Sequence, residues 1–176
     1  MYKQPEPLRG KHDLGEFDCG EQSLTTWIHR YARHAEATKS ARVFVTTAGS
    51  PAIVGYYALT VGQVEPNRGT ARLSKGQPPG YPIPVAVLAR LAVDEAHQGR
   101  GVGRSLLQDA LLRCATVAQQ VGIRALVVHA HGEAAGFYRG FGFEPSPTDP
   151  FHLVLLMKDI EHLLEDSTAA SAAQPG

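Results

Sequence analysis

The stretch DEAHQGRGVGRSLLQDALL, residues 94–112, holds three glycines within five positions, between an apolar run and an amphipathic one. Glycine costs about 1 kcal/mol relative to alanine inside regular secondary structure, so such a cluster indicates a turn from which side chains are excluded. Residues 85–93 before the cluster are typical of a β-strand, and Leu107, Leu111 and Cys114 after it recur at helical spacing. The stretch therefore predicts a strand, a glycine loop and a helix that starts at the loop.

A glycine loop at the start of a helix suits an anion. The first N–H groups of a helix have no partner within it, and the helix dipole is positive at that end. The pattern here is Gln98-x-x-Gly101-x-Gly103. It fits neither the GxxxxGK[ST] spacing of a Walker loop nor the GxGxxG spacing of a dinucleotide-binding loop. The glycines alone leave two interpretations open, a phosphate-binding loop or a tight turn without a ligand.

Length and composition indicate one domain, which we expect over residues 1–165, followed by a low-complexity, disordered tail over residues 166–176. The chain has 176 residues with 17 basic and 17 acidic side chains, and residues 1–158 carry an excess of four positive charges. This is a mild preference for anionic partners, not the charge of a polybasic nucleic-acid binder. Two cysteines provide neither a disulfide framework nor metal-ligand spacing. Without a signal peptide or a long apolar span, we expect a cytoplasmic protein with no membrane segment and no metal.

The rest of the chain alternates helices and strands. Asp18 and Glu21 have capping-box spacing before a helix whose apolar stripe ends at Tyr31. The other predicted elements, in chain order, are a β-hairpin of residues 41–47 and 52–65, a long loop over 66–84, a strand over 125–130, a short helix over 132–140 and a last strand over 151–159.

Two signatures together resemble the GNAT superfamily of acetyl-CoA-dependent N-acetyltransferases. QGRGVG, residues 98–103, matches the pyrophosphate loop [Q/R]-x-x-G-x-[G/A] of that family, and LVVHAHGEAAGFYRGFGFEP, residues 126–145, matches its strand, short helix with FY, and GF. The resemblance covers residues 8–160. It implies an α/β fold of the α+β type, with a mixed, mostly antiparallel sheet flanked by helices and a V-shaped split between the strands at 85–93 and 125–130.

The resemblance implies acetyl-CoA as cosubstrate. Backbone groups near Leu91 and Val93 would bind the pantetheine arm, and the pyrophosphate would bind at Gln98, Gly99, Arg100, Gly101, Val102, Gly103 and Arg104. Tyr138 occupies the family position that donates to the departing thiolate. A thiol pKa near 8.5 and a phenol pKa near 10 make full proton transfer uphill by about 2 kcal/mol, so Tyr138 is best described as a hydrogen-bond donor to developing negative charge.

No general base stands out. Glu65, His129, His131 and Glu133 are the candidates near the expected cleft. An α-amino group has a reference pKa of about 7.7–8.0, against about 10.4 for a lysine side chain. An α-amine is therefore already substantially neutral at cytoplasmic pH, and a site without a strong base suits such an acceptor.

The N-terminal third is similar to the GNAT toxins of bacterial toxin–antitoxin pairs, the TacT/AtaT-like group. HDLGEFDCGEQSLTTWIHRYARHAEATKSARVFVTT, residues 12–47, carries their F-x-C-G and L-x-x-W-[LI] patterns, and YPIPVAVLARLAVDEAHQGRGVG, residues 81–103, matches their central strand and loop. This resemblance implies acetylation of the α-amine of aminoacyl-tRNA, which blocks translation. It also implies a ribbon-helix-helix antitoxin and a homodimer, for which the apolar segment FHLVLLM (residues 151–157) is available for pairing.

Basic residues would contact tRNA phosphates, which require scattered positive charge rather than a base-reading code. The candidates are Arg30, Arg33, Lys39, Arg42 and Arg72. Two alternatives remain: an acetyltransferase for a small metabolic or antibiotic amine, which the zero net charge mildly favours, and a non-catalytic CoA-binding interaction module, which would be expected to have lost the loop or the tyrosine. The sequence does not identify the amino acid or the tRNA.

Overall fold

A computed structural model describes residues 1–173. Its seven strands form one sheet in the order β1-β2-β3-β4-β5-β7-β6. The strands are β1 (Glu6–Pro7), β2 (Arg42–Thr47), β3 (Ile53–Val64), β4 (Ile83–Val93), β5 (Ala125–His129), β6 (Glu144–Pro145) and β7 (His152–Leu156). The helices are α1 (Gln22–Arg30), α2 (Ala32–Thr38), α3 (Ala71–Ser74), α4 (Val102–Ala118), α5 (Ala134–Arg139) and α6 (Met157–Ala172), with a 3₁₀ turn at Glu95–His97.

The mixed sheet flanked by helices confirms the predicted fold class. β2 and β3 pair as the expected antiparallel hairpin, with Arg42 opposite Leu59. β5 and β7 are also antiparallel. The Arg124 N–H donates to the Pro84 carbonyl at 2.9 Å, which joins the beginnings of β5 and β4. The split between residues 85–93 and 125–130 stays a prediction.

The chain divides into two compact units, each built from two separate segments. The single domain over residues 1–165 stays a prediction. Unit 1 comprises Met1–Thr60 and Leu88–Ala110, and unit 2 comprises Val61–Val87 and Leu111–Gly176. β3, β4 and α4 each contribute residues to both units, so neither unit is a continuous stretch of the chain.

The core of unit 1 lies between the α1–α2 pair and the sheet. Ile28, Val43, Val45 and Tyr56 are fully buried there. The Tyr56 hydroxyl donates to the Leu24 carbonyl at 2.7 Å, which satisfies its polar atom and ties β3 to α1. Cys19 is partly buried and packs against the same core.

The capping box predicted for the first helix is wrong. α1 begins at Gln22 after Glu21, whose side chain caps nothing. The Asp18 carboxylate instead accepts from the Gly20 N–H at 2.9 Å and from the Thr25 hydroxyl at 3.2 Å. The predicted helix also breaks at Tyr31, which is 55% exposed and so ends no buried stripe.

The core of unit 2 includes an element that the sequence analysis treats as loop. Within residues 66–84, Thr70 caps the short helix α3 by accepting from the Leu73 N–H at 3.1 Å. Leu73 is fully buried against Val85 and Val127 of the sheet. Burial of one leucine therefore fixes this proline- and glycine-rich segment.

The guanidinium group of Arg124 caps the C-terminal end of α3. Arg124 donates to the carbonyls of Leu73 at 2.7 Å, Lys75 at 3.1 Å and Arg72 at 3.2 Å. These carbonyls belong to the last turn of the helix, which has no internal donors for them. Arg124 therefore takes the place of a helix C-cap.

Replacement of this cap has a measurable cost. Arg124→Met should lower the free energy of unfolding by about 1–3 kcal/mol, because carbonyls that lose a charged donor are left unsatisfied. Urea denaturation followed by circular dichroism measures it. Arg68→Met, an exposed arginine of the same segment, is the control and should stay within about 0.5 kcal/mol of wild type. Equal loss in both variants would contradict the capping role.

The C-terminal segment differs from expectation. The strand predicted over residues 151–159 ends at Leu156, and α6 continues to Ala172 through most of the tail expected to be disordered. Alanine has the highest helix propensity, and the tail is alanine-rich. Residues 174–176 lie outside the described part. β7 pairs with β5 along its whole length and with β6 at Leu153 and Val154, so most of the apolar segment 151–157 already lies within the sheet.

No helix among residues 1–173 is long and apolar enough to cross a membrane.

Candidate active site

The glycine loop has the conformation that its composition predicts. Gly99 and Gly101 have φ angles of +73° and +82°, a left-handed region that disfavours other side chains. α4 begins directly afterwards at Val102, as predicted. The glycines at 99 and 101 are thus required by the backbone itself.

The loop presents a run of free backbone donors. The N–H groups of residues 99–103 have no acceptor within the described part of the chain, and the first bond of α4 runs from Ser105 N–H to Gly101 at 3.0 Å. Arg100 and Arg104 are exposed beside them. An arrangement of this kind, with the positive end of a 17-residue helix behind it, attracts anions.

The segment FDCG, residues 17–20, is hydrogen-bonded to Glu95 and Gln98, directly before the glycines of the loop. The Glu95 N–H donates to the Asp18 carbonyl at 2.9 Å. The Gln98 side chain donates to the Cys19 carbonyl at 3.0 Å and to the Val93 carbonyl at 2.9 Å. Gln98 is therefore a brace between β4 and the N-terminal segment, a role that spacing alone does not reveal.

Gly20, the last residue of this segment, has a left-handed backbone and lies next to Glu95. Its φ angle is +81°, and a Cβ atom placed there would lie 2.3 Å from the carboxylate oxygen Oε1 of Glu95. Because Glu95 is exposed, the end of its side chain can move away from such an atom, so the last glycine of the F-x-C-G pattern is required by its backbone conformation.

Gly20→Ala should therefore lower the free energy of unfolding by about 1–3 kcal/mol, the cost of a left-handed alanine. Gly10→Ala is the matched control: Gly10 is not among the glycines with a positive φ and has open space around its Cβ, so the variant should stay within about 0.5 kcal/mol of wild type. Urea denaturation measures both variants. Equal loss of stability in the two would contradict a backbone requirement at residue 20.

Helix α4 is fixed to β3 behind the loop. The Tyr57 hydroxyl donates to the Asp109 carboxylate at 2.5 Å. Gly55 allows close packing, because a Cβ there would lie 2.9 Å from a methyl group of Leu106. Leu91 and Val93 of β4 are half-buried, and the Val93 carbonyl already accepts one hydrogen bond from Gln98.

Tyr138 lies in α5, in unit 2. Its residue surface is only 5% exposed, and its ring packs edge-on against Phe137 at 5.1 Å and Phe143 at 5.5 Å. The hydroxyl has no hydrogen-bond partner in residues 1–173. Burial raises the pKa of the Tyr138 phenol, so the group stays protonated at neutral pH. Phe137 also contacts Phe141, with ring centroids 5.4 Å apart.

Two of the four candidate bases line one cavity of unit 2. The cavity has a volume of 310 Å³, and its lining includes Glu65, Arg68, His129, Asp149 and His152. The imidazole Nδ1 of His129 is 3.7 Å from the Asp149 carboxylate. Burial, and then the neighbouring His129, lower the pKa of His152.

The other two candidates are placed differently. The His131 ring contacts the His129 ring at 4.9 Å between centroids, whereas Glu133 is exposed at the start of α5. No sequence signal marks Asp149 and His152 as part of this cluster, because the pairing of β5 with β7 places His152 opposite His129 and Asp149 lies in the loop just before β7. No group of three or more His, Cys, Asp or Glu side chains in the described residues is arranged to hold a metal ion.

Three of the five predicted tRNA-contacting residues are engaged within the protein. Arg42 pairs with Glu36 at 3.1 Å. Arg72 pairs with two carboxylates, Glu144 at 3.0 Å and Asp159 at 2.8 Å. Arg33 donates to the carbonyls of Arg9 at 3.2 Å and His12 at 2.7 Å.

Arg30 and Lys39 are different. Both are exposed, and neither has an ion pair or side-chain hydrogen bond within residues 1–173. Of the five predicted residues, these two have charges without an internal partner.

The fold and the loop define the class of protein. The sequence model described as "Acetyltransferase (GNAT) domain" matches residues 39–145, more than half of the chain. The chain belongs to the GNAT acetyltransferase family.

The relatives are more specific. The chain is 43% identical to the tRNA-acetylating toxin of Mycobacterium tuberculosis (strain ATCC 25618 / H37Rv) over 166 residues, which covers 94% of this chain and 98% of the toxin. It is similar to the structure of AtaT complexed with acetyl-methionyl-tRNAfMet, with a TM-score of 0.83, 28% identity and coverage of 93% of this chain and 99% of that chain. It is also similar to a tyrosine-to-phenylalanine mutant of AtaT bound to the C-terminus of the antitoxin AtaR and acetyl-CoA, with a TM-score of 0.78, 29% identity and coverage of 93% and 98%.

Proposed function

We propose that the protein transfers the acetyl group of acetyl-CoA to the α-amino group of an aminoacyl-tRNA and thereby acts as a translation-blocking toxin. The observation that carries the proposal is the 43% identity to a tRNA-acetylating toxin over 94% of the chain. That match extends well beyond the family domain at residues 39–145.

The cosubstrate site is proposed at the glycine loop. The N–H groups of residues 99–103 would donate to the pyrophosphate, with Arg100 and Arg104 adding positive charge, whereas the N–H of Gln98 already donates to the Glu95 carbonyl at 3.4 Å. Extended backbone at Leu91 and Val93 would bind the pantetheine arm as a sheet edge binds a peptide. The free donors of residues 99–103 and their bracing by residues 17–20 support this assignment.

Tyr138 is proposed to donate a hydrogen bond to the thiolate sulfur as it leaves. The bond from the acetyl carbon to nitrogen forms while the thioester bond breaks, and the electron pair goes to sulfur. A buried phenol that is protonated and has no internal partner suits that role.

The proton lost from the ammonium group needs no strong base. An α-amine with a pKa near 8 is partly neutral already, and solvent can accept its proton. If a side chain assists, the cavity lined by Glu65 and His129 offers acceptors.

The tRNA surface is proposed to centre on Arg30 and Lys39. Their charges are available, whereas Arg33, Arg42 and Arg72 would have to give up internal partners to bind a phosphate. The proposal therefore predicts that Arg30 and Lys39 contribute more to tRNA binding than Arg33, Arg42 and Arg72 do.

The double variant Arg30→Glu, Lys39→Glu should raise KM for charged tRNA and reduce the steepness of its salt dependence, because fewer counterions are released on binding. The control is Lys3→Glu, Lys158→Glu, two exposed lysines that give the same change in net charge. Initial rates between 50 and 200 mM salt, about the range over which phosphate contacts are screened, compare the two. Equal salt slopes in both double variants would contradict the assignment.

Two assemblies belong to the same proposal. A ribbon-helix-helix antitoxin would bind and inactivate the protein, and the toxin itself would be a cytoplasmic homodimer. The structure of AtaT with its antitoxin AtaR supports the first of these by similarity. Sedimentation of the purified chain tests the dimer, and a monomer at micromolar concentration would exclude it.

Cell-free translation tests the proposed function. The protein is incubated with acetyl-CoA and a pool of charged tRNAs, which are then repurified and added to a translation reaction. We expect loss of peptide synthesis that depends on acetyl-CoA and on charging of the tRNA. Full synthesis from the treated pool would contradict the toxin activity and favour a small amine as acceptor.

A further inference from the structure

The guanidinium group of Arg90 lies over the ring of Trp27, the tryptophan of α1. The guanidinium carbon of Arg90, on β4, lies 4.8 Å from the centroid of the Trp27 ring. Trp27 is stacked on Tyr56, with centroids 5.9 Å apart and an interplanar angle of 15°. Because the Tyr56 hydroxyl is bonded to the Leu24 carbonyl of α1, the indole is held firmly, and Arg90 is positioned with it.

Arg90 lacks the internal partners that Arg33, Arg42 and Arg72 have. It forms no hydrogen bond or ion pair with any of residues 1–173, and its Nε atom is buried without an acceptor. The Asp94 carboxylate, which directly follows β4, accepts from the N–H groups of Asp18 and Ala96. The two terminal Nη atoms of Arg90 are not buried in this way, so their N–H groups are available to a partner from outside the chain.

The chemistry of the missing partner follows from the guanidinium. Its four terminal N–H donors lie in a planar fork and match the oxygens of a phosphate. Stacking on Trp27 fixes that fork while leaving its donors free. Arg30, exposed and one helical turn after Trp27, adds a second positive charge nearby. Two positive charges and an aromatic ring at this point favour a nucleic-acid backbone.

We propose that Arg90, held in place by Trp27, binds a phosphate of the single-stranded 3′ end of the charged tRNA and so places the aminoacyl ester for reaction. The inference rests on the proposed function. It also follows from chain position, because Arg90 immediately precedes Leu91, where the pantetheine arm is proposed to bind. A phosphate at Arg90 belongs to the part of the tRNA nearest the reacting amine. Trp27 is then a positioning residue that acts through Arg90.

Trp27 is the only tryptophan of the chain, so its fluorescence reports directly on this site. The full-length protein is titrated with the uncharged oligoribonucleotide 5′-ACCA-3′ and with the same RNA in which the phosphodiesters are neutral methylphosphonates. We expect a saturable change in Trp27 emission with the first RNA, and binding about 10- to 100-fold weaker with the second, the range for loss of a charge-assisted hydrogen bond.

Variants separate binding from folding. Arg90→Gln should abolish the emission change and raise KM for charged tRNA about 10- to 100-fold, with KM for acetyl-CoA and the unfolding midpoint unchanged. Arg90→Lys, which keeps the charge but not the fork, should fall between the two and covers the case in which the glutamine variant does not fold. Trp27→Phe should retain most of the activity that Trp27→Leu loses. Arg9→Gln, another exposed arginine, is the control and should behave as wild type.

Three results would overturn the inference. They are equal response to charged and neutral RNA, a change of KM for acetyl-CoA rather than for tRNA in Arg90→Gln, and an unchanged KM for tRNA in both Arg90 variants. Failure of the proposed function looks different, because the wild-type protein would then acetylate a small amine and leave charged tRNA unmodified. The RNA titration still decides the role of Arg90 in that case.

Discussion

Tyr138→Phe is expected to lower kcat about 10²- to 10⁴-fold while acetyl-CoA affinity stays nearly unchanged. The substitution keeps the ring, which packs against Phe137 and Phe143, and removes only the hydroxyl. Since that hydroxyl has no partner in residues 1–173, no internal bond is lost and stability should be preserved. The measurement is single-turnover acetyl transfer together with calorimetric binding of acetyl-CoA.

The control for this variant is Tyr31→Phe. Tyr31 is 55% exposed at the break between α1 and α2, and the same loss of a hydroxyl there should leave kcat unaltered. A kcat for Tyr138→Phe close to that of Tyr31→Phe would exclude the phenol from the chemistry.

The pH dependence of kcat provides a second check on Tyr138. An ordinary phenol ionises near pH 10, and burial raises the pKa of Tyr138 above that value. The donor therefore remains protonated throughout the range in which the acceptor amine loses its proton. We expect kcat to rise through about pH 8, the pKa of an α-amine, and to show no decline from phenol ionisation below pH 10. A fall in kcat between pH 8 and 10 that Tyr138→Phe abolishes would contradict this.

Gly101→Asp is expected to weaken acetyl-CoA binding by more than about 100-fold, because like charges brought together cost several kcal/mol. The new carboxylate would lie among the free N–H donors of residues 99–103, where the pyrophosphate is proposed to bind. Aspartate is one of the few side chains that tolerate a left-handed backbone, so the φ of +82° at Gly101 should not prevent folding. Calorimetric titration with acetyl-CoA measures the loss.

Gly101→Asn separates charge from shape. Asparagine has nearly the same size as aspartate and also tolerates the left-handed region, but it is neutral. Its affinity for acetyl-CoA should fall far less than that of Gly101→Asp. Equal losses would assign the effect to the backbone rather than to a phosphate, and unchanged affinity in a folded Gly101→Asp variant would exclude the loop as the anion site.

The features that the sequence predicts correctly depend on residues close together in the chain. Gly99 and Gly101 are glycines because their own φ angles are positive, and the hairpin of β2 and β3 follows from two β-rich runs separated by a short turn. The errors also have local causes. Asp18 has capping-box spacing but serves a turn with Gly20 and Thr25.

The features that the sequence leaves undetermined depend on contacts between distant segments. The Gln98 side chain donates a hydrogen bond to the Cys19 carbonyl, 79 residues away in the sequence. α3 forms in a segment rich in proline and glycine because Leu73 is buried and Arg124 caps its last turn. Arg72 fits the pattern of a phosphate contact, yet in the fold it pairs with Glu144 and Asp159. No spacing rule within one segment contains this information.

The central claim is acetyl transfer to the α-amine of aminoacyl-tRNA, and one measurement tests it most directly. Purified full-length protein is incubated with acetyl-CoA labelled in the acetyl group and with charged and uncharged tRNA in parallel, and nuclease digestion then releases the 3′-terminal nucleosides. The proposal predicts labelled N-acetyl-aminoacyl-adenosine from charged tRNA and no label from uncharged tRNA. Label on a free small amine, with none on the aminoacyl end, would contradict it.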